Sequence, residues 1–321
     1  MHTPAVSREE SPPRVLEKHA LEEHTLVVTA CNAGFFSHVN RVVNHLHHSL
    51  GRDGCVAVRA DWRANEDIPL FVYGTGRDGE LWERFFEPLA FPNAPHRERS
   101  TWEYADLSMT GLHAYRMYKR GSGWRSDYGR TFAEHVHVRE ELRHRADALW
   151  REGGVGDRCV GVHYRHPGHG HECPRPIPSI EAFIERARSL LGRGSSESVV
   201  LATDVREAVD RFREAFGERL LVQPGVARVH AAEDQHASAA SPSVALGEQA
   251  LVDALLLARC EAMVHTVSNL ATAVGYMNPQ MRMVYCEPRL LGAAATLRAR
   301  LGPPRRATQK GISRRPADAA S

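Results

Sequence analysis

An arginine at the carboxyl end of a buried strand is equipped to grip an anion, and His163-Tyr164-Arg165-His166 supplies one. Residues 159–163 before it form a continuous run of the kind found in strands buried on both faces. A guanidinium is planar and always charged, and its fork matches two phosphate oxygens at once. A salt bridge to a nearby carboxylate is the other use of such a group. A second strand pattern ends in Thr203-Asp204 just before helical spacing begins. Asp204 there is either the cap of that helix or an acceptor for the base or ribose of a nucleoside.

Further along, Asp253 interrupts an otherwise apolar helix pattern over residues 250–260. A buried carboxylate needs a partner, so Asp253 is read as holding a ligand-binding group. Thr266, Ser268 and Asn269 follow, where the next strand gives way to a helix. Hydroxyls beside the free N–H groups of a helix N-terminus make a seat for a diphosphate. Capping explains one such residue; three together point to a ligand. Gly34, in Asn32-Ala33-Gly34-Phe35-Phe36-Ser37, marks a tight strand-to-helix turn where backbone can approach a ligand. That turn lacks the complete dinucleotide and triphosphate loop patterns. His163, His166, His169, His171 and Glu172 make a His-rich loop whose ring nitrogens and carboxylate could hold zinc. A zinc-dependent hydrolase is therefore one alternative reading.

These residues need strands to end beside them and helices to start. Strand patterns occupy residues 24–30, 56–60, 159–163, 198–203, 220–222, 262–265 and 283–286. Helical spacing falls between them, at 39–50, 128–150, 180–191, 205–216, 250–260 and 268–276. Alternation of this kind builds parallel sheets covered on both faces, with ligands beyond the carboxyl ends of the strands. Two such units are expected, at residues 24–154 and 155–301, flanked by polar tails at 1–23 and 302–321. The first is assigned to the acceptor and the second to the donor. Residues 62–110 read as irregular. Trp62, Tyr73, Trp82, Phe85, Phe86, Trp102, Tyr104 and Tyr115 are read mainly as core, with an acceptor site as their alternative role.

Composition narrows the partners. Lys plus Arg number 41 and Asp plus Glu 39, a net charge of +2 that gives no global pull to nucleic acid or acidic membranes. No apolar run reaches the roughly 18 residues of a membrane span. The N-terminal residues lack the apolar stretch of a signal peptide, so the expected location is cytoplasmic. The six cysteines form no Cys-x-x-Cys pair and are expected to be buried thiols.

In order and spacing, Gly161-Val-His163-Tyr-Arg165, Val200-Leu-Ala-Thr-Asp204, Leu251-Val-Asp253 and Thr266-Val-Ser268-Asn269 resemble the superfamily of α-1,6-fucosyltransferases and protein O-fucosyltransferases. The likeness covers residues 158–286; Asp61-Trp62-Arg63 and the Gly34 turn extend it loosely. It implies a GT-B-like fold, two Rossmann-type domains whose parallel sheets face a central cleft. It also implies a GDP-fucose donor, inversion at the sugar carbon, a hydroxyl acceptor such as a glycan, and neither cofactor nor metal. By the same resemblance Arg165 grips the donor diphosphate and His163 touches the nucleoside. Asp204 lies near the base and ribose, Asp253 is the family's helix aspartate, and Ser268 with Asn269 contact phosphate. The chain departs from the pattern at Gly168, where the eukaryotic core enzymes carry Asp. Glu172 is the nearby carboxylate left to act as base. That departure motivates a further alternative, a non-catalytic nucleotide- or sugar-binding relative.

Overall fold

The computed structural model describes residues 22–30, 34–63, 81–100, 123–156, 158–168, 177–191, 197–226, 228–230 and 244–287. Both ends of the chain and Glu172, His169, His171, Tyr73, Trp102, Tyr104 and Tyr115 lie outside these residues.

The first sheet joins β1 (His24–Thr29), β2 (Cys55–Asp61) and β3 (Glu98–Ser100) in the order β2-β1-β3, all parallel. α1 (Phe35–His48) connects β1 to β2, and the short α2 (Trp82–Phe85) precedes β3. The strand β3 falls inside the segment read as irregular: it is three residues long, below the length at which alternation can be seen.

α3 (Gly123–His135) and α4 (Glu140–Glu152) occupy the stretch expected to be one long helix. The break has a physical cause. Val136 and Val138 are buried, and Val138 forms a β-bridge with Phe86. His137 O accepts Glu87 N–H at 2.8 Å, and Arg139 N–H donates to Phe85 O at 3.0 Å. Backbone groups that would continue the helix are paired with the α2 segment instead.

The second sheet holds β4 (Arg158–Tyr164), β5 (Glu197–Thr203), β6 (Leu220–Val222), β7 (Ala262–His265) and β8 (Arg282–Tyr285). Its order is β6-β5-β4-β7-β8, again all parallel. α5 (Ile180–Leu190) and α6 (Arg206–Phe216) cover one face, where Val160, Val162, Val199, Leu201 and Val264 join their apolar side chains. α7 (Val244–Leu257) and α8 (Asn269–Met277) belong to the other face, with Cys159, Val200, Ala202, Leu221 and Met263. Cys55, Cys159, Cys260 and Cys286 are buried thiols.

The core on the α7–α8 face runs without interruption into the first sheet, from Leu26 and Val28 to Met281. Two glycines permit that contact. A Cβ at Gly129 of α3 would stand 2.6 Å from Tyr276 O, and one at Gly247 of α7 would stand 2.5 Å from Phe85 Cζ. Trp62, Trp82, Phe85 and Phe86 are buried in this core and pack against one another, edge-to-face or stacked. They fill the interior, and none lines an open acceptor surface.

Candidate functional site at the carboxyl edge of the second sheet

Strand register sets one polar row across the second sheet. His163 lies opposite Ala202 on β5 and His265 on β7. Gln223 follows Val222, the partner of Leu201, and so stands level with Ala202. Alternation along each strand puts Gln223, Ala202, His163 and His265 on the face of Leu221, Val200, Gly161 and Met263, the α7–α8 face. The methyl side chain of Ala202 separates the larger polar groups.

Asp253 belongs above this row. A Cβ at Gly161 would lie 2.9 Å from Leu257 Cδ2, which docks the end of α7 on β4. Asp253 is one helical turn before Leu257, towards the carboxyl edge, as His163 is two strand residues beyond Gly161. The carboxylate is buried, and its Oδ1 accepts Gln223 Nε2–H at 2.9 Å. Gln223 also donates to Gln249 O at 3.0 Å and accepts Arg145 Nη2–H at 3.1 Å, and its own carbonyl accepts Arg228 Nη2–H at 2.9 Å. Burial pushes the Asp253 carboxyl up to about 7, against the opposing pull of Gln223, Arg228 and Arg145.

At β7, the loop Thr266–Ser268 turns into α8. Ser268 caps the helix, its Oγ accepting Ala271 N–H at 3.0 Å. The same oxygen lies 3.1 Å from His163 Nδ1, joining the end of β4 to the start of α8. Thr266 is buried, and its Oγ1 has no hydrogen-bond partner among the described residues. A buried hydroxyl left unpaired costs stability and is uncommon. The backbone N–H groups of Asn269 and Leu270, in the first turn, have no hydrogen-bond partner among the described residues.

Arg165 follows the last residue of β4, half-buried. The residue after it is tethered: His166 N–H donates to Asp204 Oδ1 at 2.8 Å. Asp204 therefore does not cap the following helix; Val205 holds that position and offers no side-chain bond. Asp204 instead ties the ends of β4 and β5 together beside Arg165. His166 has both ring nitrogens engaged, Nδ1 with Gly168 N–H at 2.9 Å and Nε2 with His230 O at 3.3 Å. Zinc binding through His166 would have to displace these contacts. Among the described residues, no group of three His, Cys, Asp or Glu side chains is arranged to hold a metal.

Gly34 sits at the N-cap of α1 with φ −71° and ψ 160°, a conformation open to any residue. Its carbonyl accepts Ser37 N–H at 2.9 Å. The turn expected there includes Asn32 and Ala33, which lie outside the described residues.

The structure thus groups His163, Arg165, Asp204, Thr266, Ser268 and Asn269 at adjacent strand ends, with Asp253 over the same face. Sequence reasoning missed Gln223, Arg145, Arg228 and Asn40. Gln223 and Arg228 sit in a segment with no recognisable pattern beyond a three-residue strand, and Arg145 is a charged position in the helical spacing of 128–150, where it reads as part of a solvated face. The signal for Asn40 was polar residues at helical spacing, Asn40 and Asn44, within the buried stripe of α1.

No family model and no curated protein matches this sequence. Solved structures do. The fucosyltransferase NodZ from Bradyrhizobium aligns with 80% of this chain and 92% of its own, at 17% identity and a TM-score of 0.50. NodZ α-1,6-fucosyltransferase co-crystallised with GDP aligns over 81% and 93%, at 16% identity and 0.50. POFUT1 in complex with GDP aligns over 82% and 98%, at 12% identity and 0.46. No helix among the described residues is long and apolar enough to cross a membrane. The two parallel sheets and their covering helices give this chain the GT-B α/β fold of the NodZ fucosyltransferase.

Proposed function

We propose that the chain is a glycosyltransferase that binds a nucleoside diphosphate sugar, GDP-fucose, and transfers the sugar with inversion to a hydroxyl acceptor such as a glycan. The observation that carries the reading is the start of α8. Unpaired N–H groups, the buried hydroxyl of Thr266 without a partner and the Ser268–His163 pair converge beside Arg165. Such a cluster is built for an anion. The shared fold with an α-1,6-fucosyltransferase co-crystallised with GDP supports the choice of nucleotide.

In this reading the acceptor oxygen forms a bond to the anomeric carbon as the bond from that carbon to the β-phosphate oxygen breaks. The electron pair leaves with the diphosphate, and the acceptor proton passes to a base, for which Glu172 is the candidate. Negative charge grows on the leaving phosphate. Arg165 and the α8 N-terminus are the groups on hand to stabilise it, so the reading needs no metal and no further cofactor. One such aimed donor supplies about 10²–10³ in rate. In this reading His163 touches the nucleoside, Asp253 holds a ligand-binding group, and Gly34 marks where the first sheet borders the site. The location is proposed to be cytoplasmic. The domain division proposed is 24–154 for the acceptor and 155–301 for the donor.

Calorimetric titration with GDP and GDP-fucose in EDTA tests this. Binding that survives EDTA and vanishes in Arg165→Ala is expected, and Arg165→Lys should not restore it because a bidentate contact needs the fork. Wild-type turnover by Arg165→Ala would overturn the assignment. GDP binding with no sugar transfer to any hydroxyl would favour a non-catalytic relative, and chelator-sensitive activity would favour the zinc hydrolase.

A further inference from the structure

Asn40 of α1 is buried, and its side-chain NH2 is directed at the start of α8. Its Nδ2 donates to Asn269 O at 3.1 Å and to Asn269 Oδ1 at 3.3 Å, and its Oδ1 accepts Tyr276 O–H at 3.0 Å. The orientation of this amide is forced. A backbone carbonyl only accepts, so the Asn40 atom facing Asn269 O must be the nitrogen. The oxygen then faces Tyr276, which must donate. Burial drives the Tyr276 phenol far above its ordinary range, so the proton is always there to give.

The consequence passes one residue further. Asn40 presents N–H to the side chain of Asn269, so Asn269 answers with its oxygen and its NH2 turns away from α1. That NH2 has no partner among the described residues. It belongs to the same first turn as the unpaired Asn269 and Leu270 N–H groups, one residue past Ser268 and three past the unpartnered Thr266 hydroxyl.

We propose that Asn40 is a positioning residue: with Tyr276 it fixes the polarity of the Asn269 amide so that its NH2 is offered as a donor to a diphosphate at the α8 N-terminus. This rests on the anion-binding reading above, and deepens it. A freely turning amide would offer its oxygen to the anion half the time; the Tyr276–Asn40–Asn269 chain removes that option before the ligand arrives.

Titrations of GDP, inorganic pyrophosphate and guanosine into the full chain test the relay. Asn40→Asp keeps the shape and reverses the polarity facing Asn269, and should weaken GDP and pyrophosphate about tenfold, the loss of one charge-assisted hydrogen bond. Guanosine affinity should not change. Asn40→Leu adds no charge and should weaken the two anions several-fold, and thermal unfolding checks that both variants fold. Asn269→Ala should match Asn40→Asp, and the double variant should be no worse than Asn269→Ala alone. Multiplying losses would mean repulsion by the new carboxylate rather than a relay, and would overturn it. Equal losses for guanosine, or wild-type anion affinity in both Asn40 variants, would overturn it as well. If the wild type binds pyrophosphate but not GDP and Asn40→Asp weakens that binding, the relay stands and the nucleotide-sugar reading falls. Binding of neither by the wild type overturns both.

Discussion

The Asp204 carboxylate accepts the backbone N–H of His166 at 2.8 Å, so an acidic side chain on one strand end fixes the main chain next to Arg165 on another. This is a bracing role, and it separates two variants that a direct ligand contact would not. Asp204→Asn keeps an oxygen acceptor and should hold GDP affinity within about threefold. Asp204→Ala leaves a peptide N–H unpaired, at a cost of about 1–3 kcal/mol, and should weaken GDP about tenfold by letting Arg165 drift. Equal damage from both, measured by calorimetry, would mean that the carboxylate charge itself meets the ligand.

Stability should peak just below neutral pH. Burial holds His45 and His265 down at about 4, from an ordinary 6.5, with Arg41 beside His45 and Arg125 near His265 adding to it. Between those values the unfolded chain binds more protons, so stability is lost as pH falls from 6.5 to 4. Asp253 acts in the opposite sense. Its folded value of about 7 stands above the ordinary 3.8, so the folded chain binds more protons and stability falls as pH rises through that window. Two histidines outweigh one carboxyl on the acid limb; above it Asp253 acts alone. Asp253→Asn should therefore gain roughly 2–3 kcal/mol relative to wild type between about pH 5 and pH 8, at about 1.4 kcal/mol per pH unit. Urea unfolding at the two pH values measures it, and a constant difference would remove Asp253 as the source.

Much of this was legible in the residues. Strand ends and helix starts followed from apolar runs meeting polar punctuation, which is why Arg165, Ser268 and Asp204 were placed correctly relative to β4, α8 and β5. What the pattern did not carry was partnership. Asp204 looked like a cap because a strand-to-helix junction favours one, and only the parallel register of β4 and β5 reveals its bond to His166. The partner of Asp253 was required by burial, yet Gln223 sits 30 positions away after a three-residue strand. The contact of α1 with α8 joins Asn40 to Tyr276 across 236 positions, and nothing local encodes it.

Gln223 should tune the charge of Asp253. Its amide N–H favours the ionised carboxylate, second only to burial among the influences on that group and opposite in direction. Gln223→Leu removes the donor, so the carboxyl should titrate at higher pH still. If Asp253 meets the nucleoside as a carboxylate, the pH at which guanosine affinity reaches half its plateau should rise in Gln223→Leu. The plateau itself, read at alkaline pH, should change little. A uniform loss of affinity at every pH would instead mark Gln223 as a packing residue.

The helix contacts between the two sheets make a last, sharper expectation. Alanine favours a helix over glycine by about 1 kcal/mol, so each Gly→Ala exchange in α3 or α7 starts with a gain. At Gly123, the first residue of α3, nothing among the described residues lies within 4 Å of the added Cβ, and the gain should survive, reduced by its terminal position. At Gly129 the Cβ would meet Tyr276 O at 2.6 Å and Pro279 Cγ at 2.7 Å. A backbone carbonyl cannot swing aside, so α3 must lift from α8, a strain of about 1–3 kcal/mol that outweighs the propensity gain. Gly129→Ala should lower the Tm, and because Tyr276 also anchors Asn40, it should weaken GDP as well. At Gly247 the obstacle is the ring tip of Phe85 at 2.5 Å, and Phe85 is itself packed edge-on against Phe35. Gly247→Ala should lower the Tm by a similar amount, and the double variant Gly247→Ala/Phe85→Leu should recover part of it by freeing the space. Thermal melts of the four proteins beside the wild type decide the matter: a stabilised Gly129→Ala would show that α3 and α8 pack less closely than their glycine contact requires.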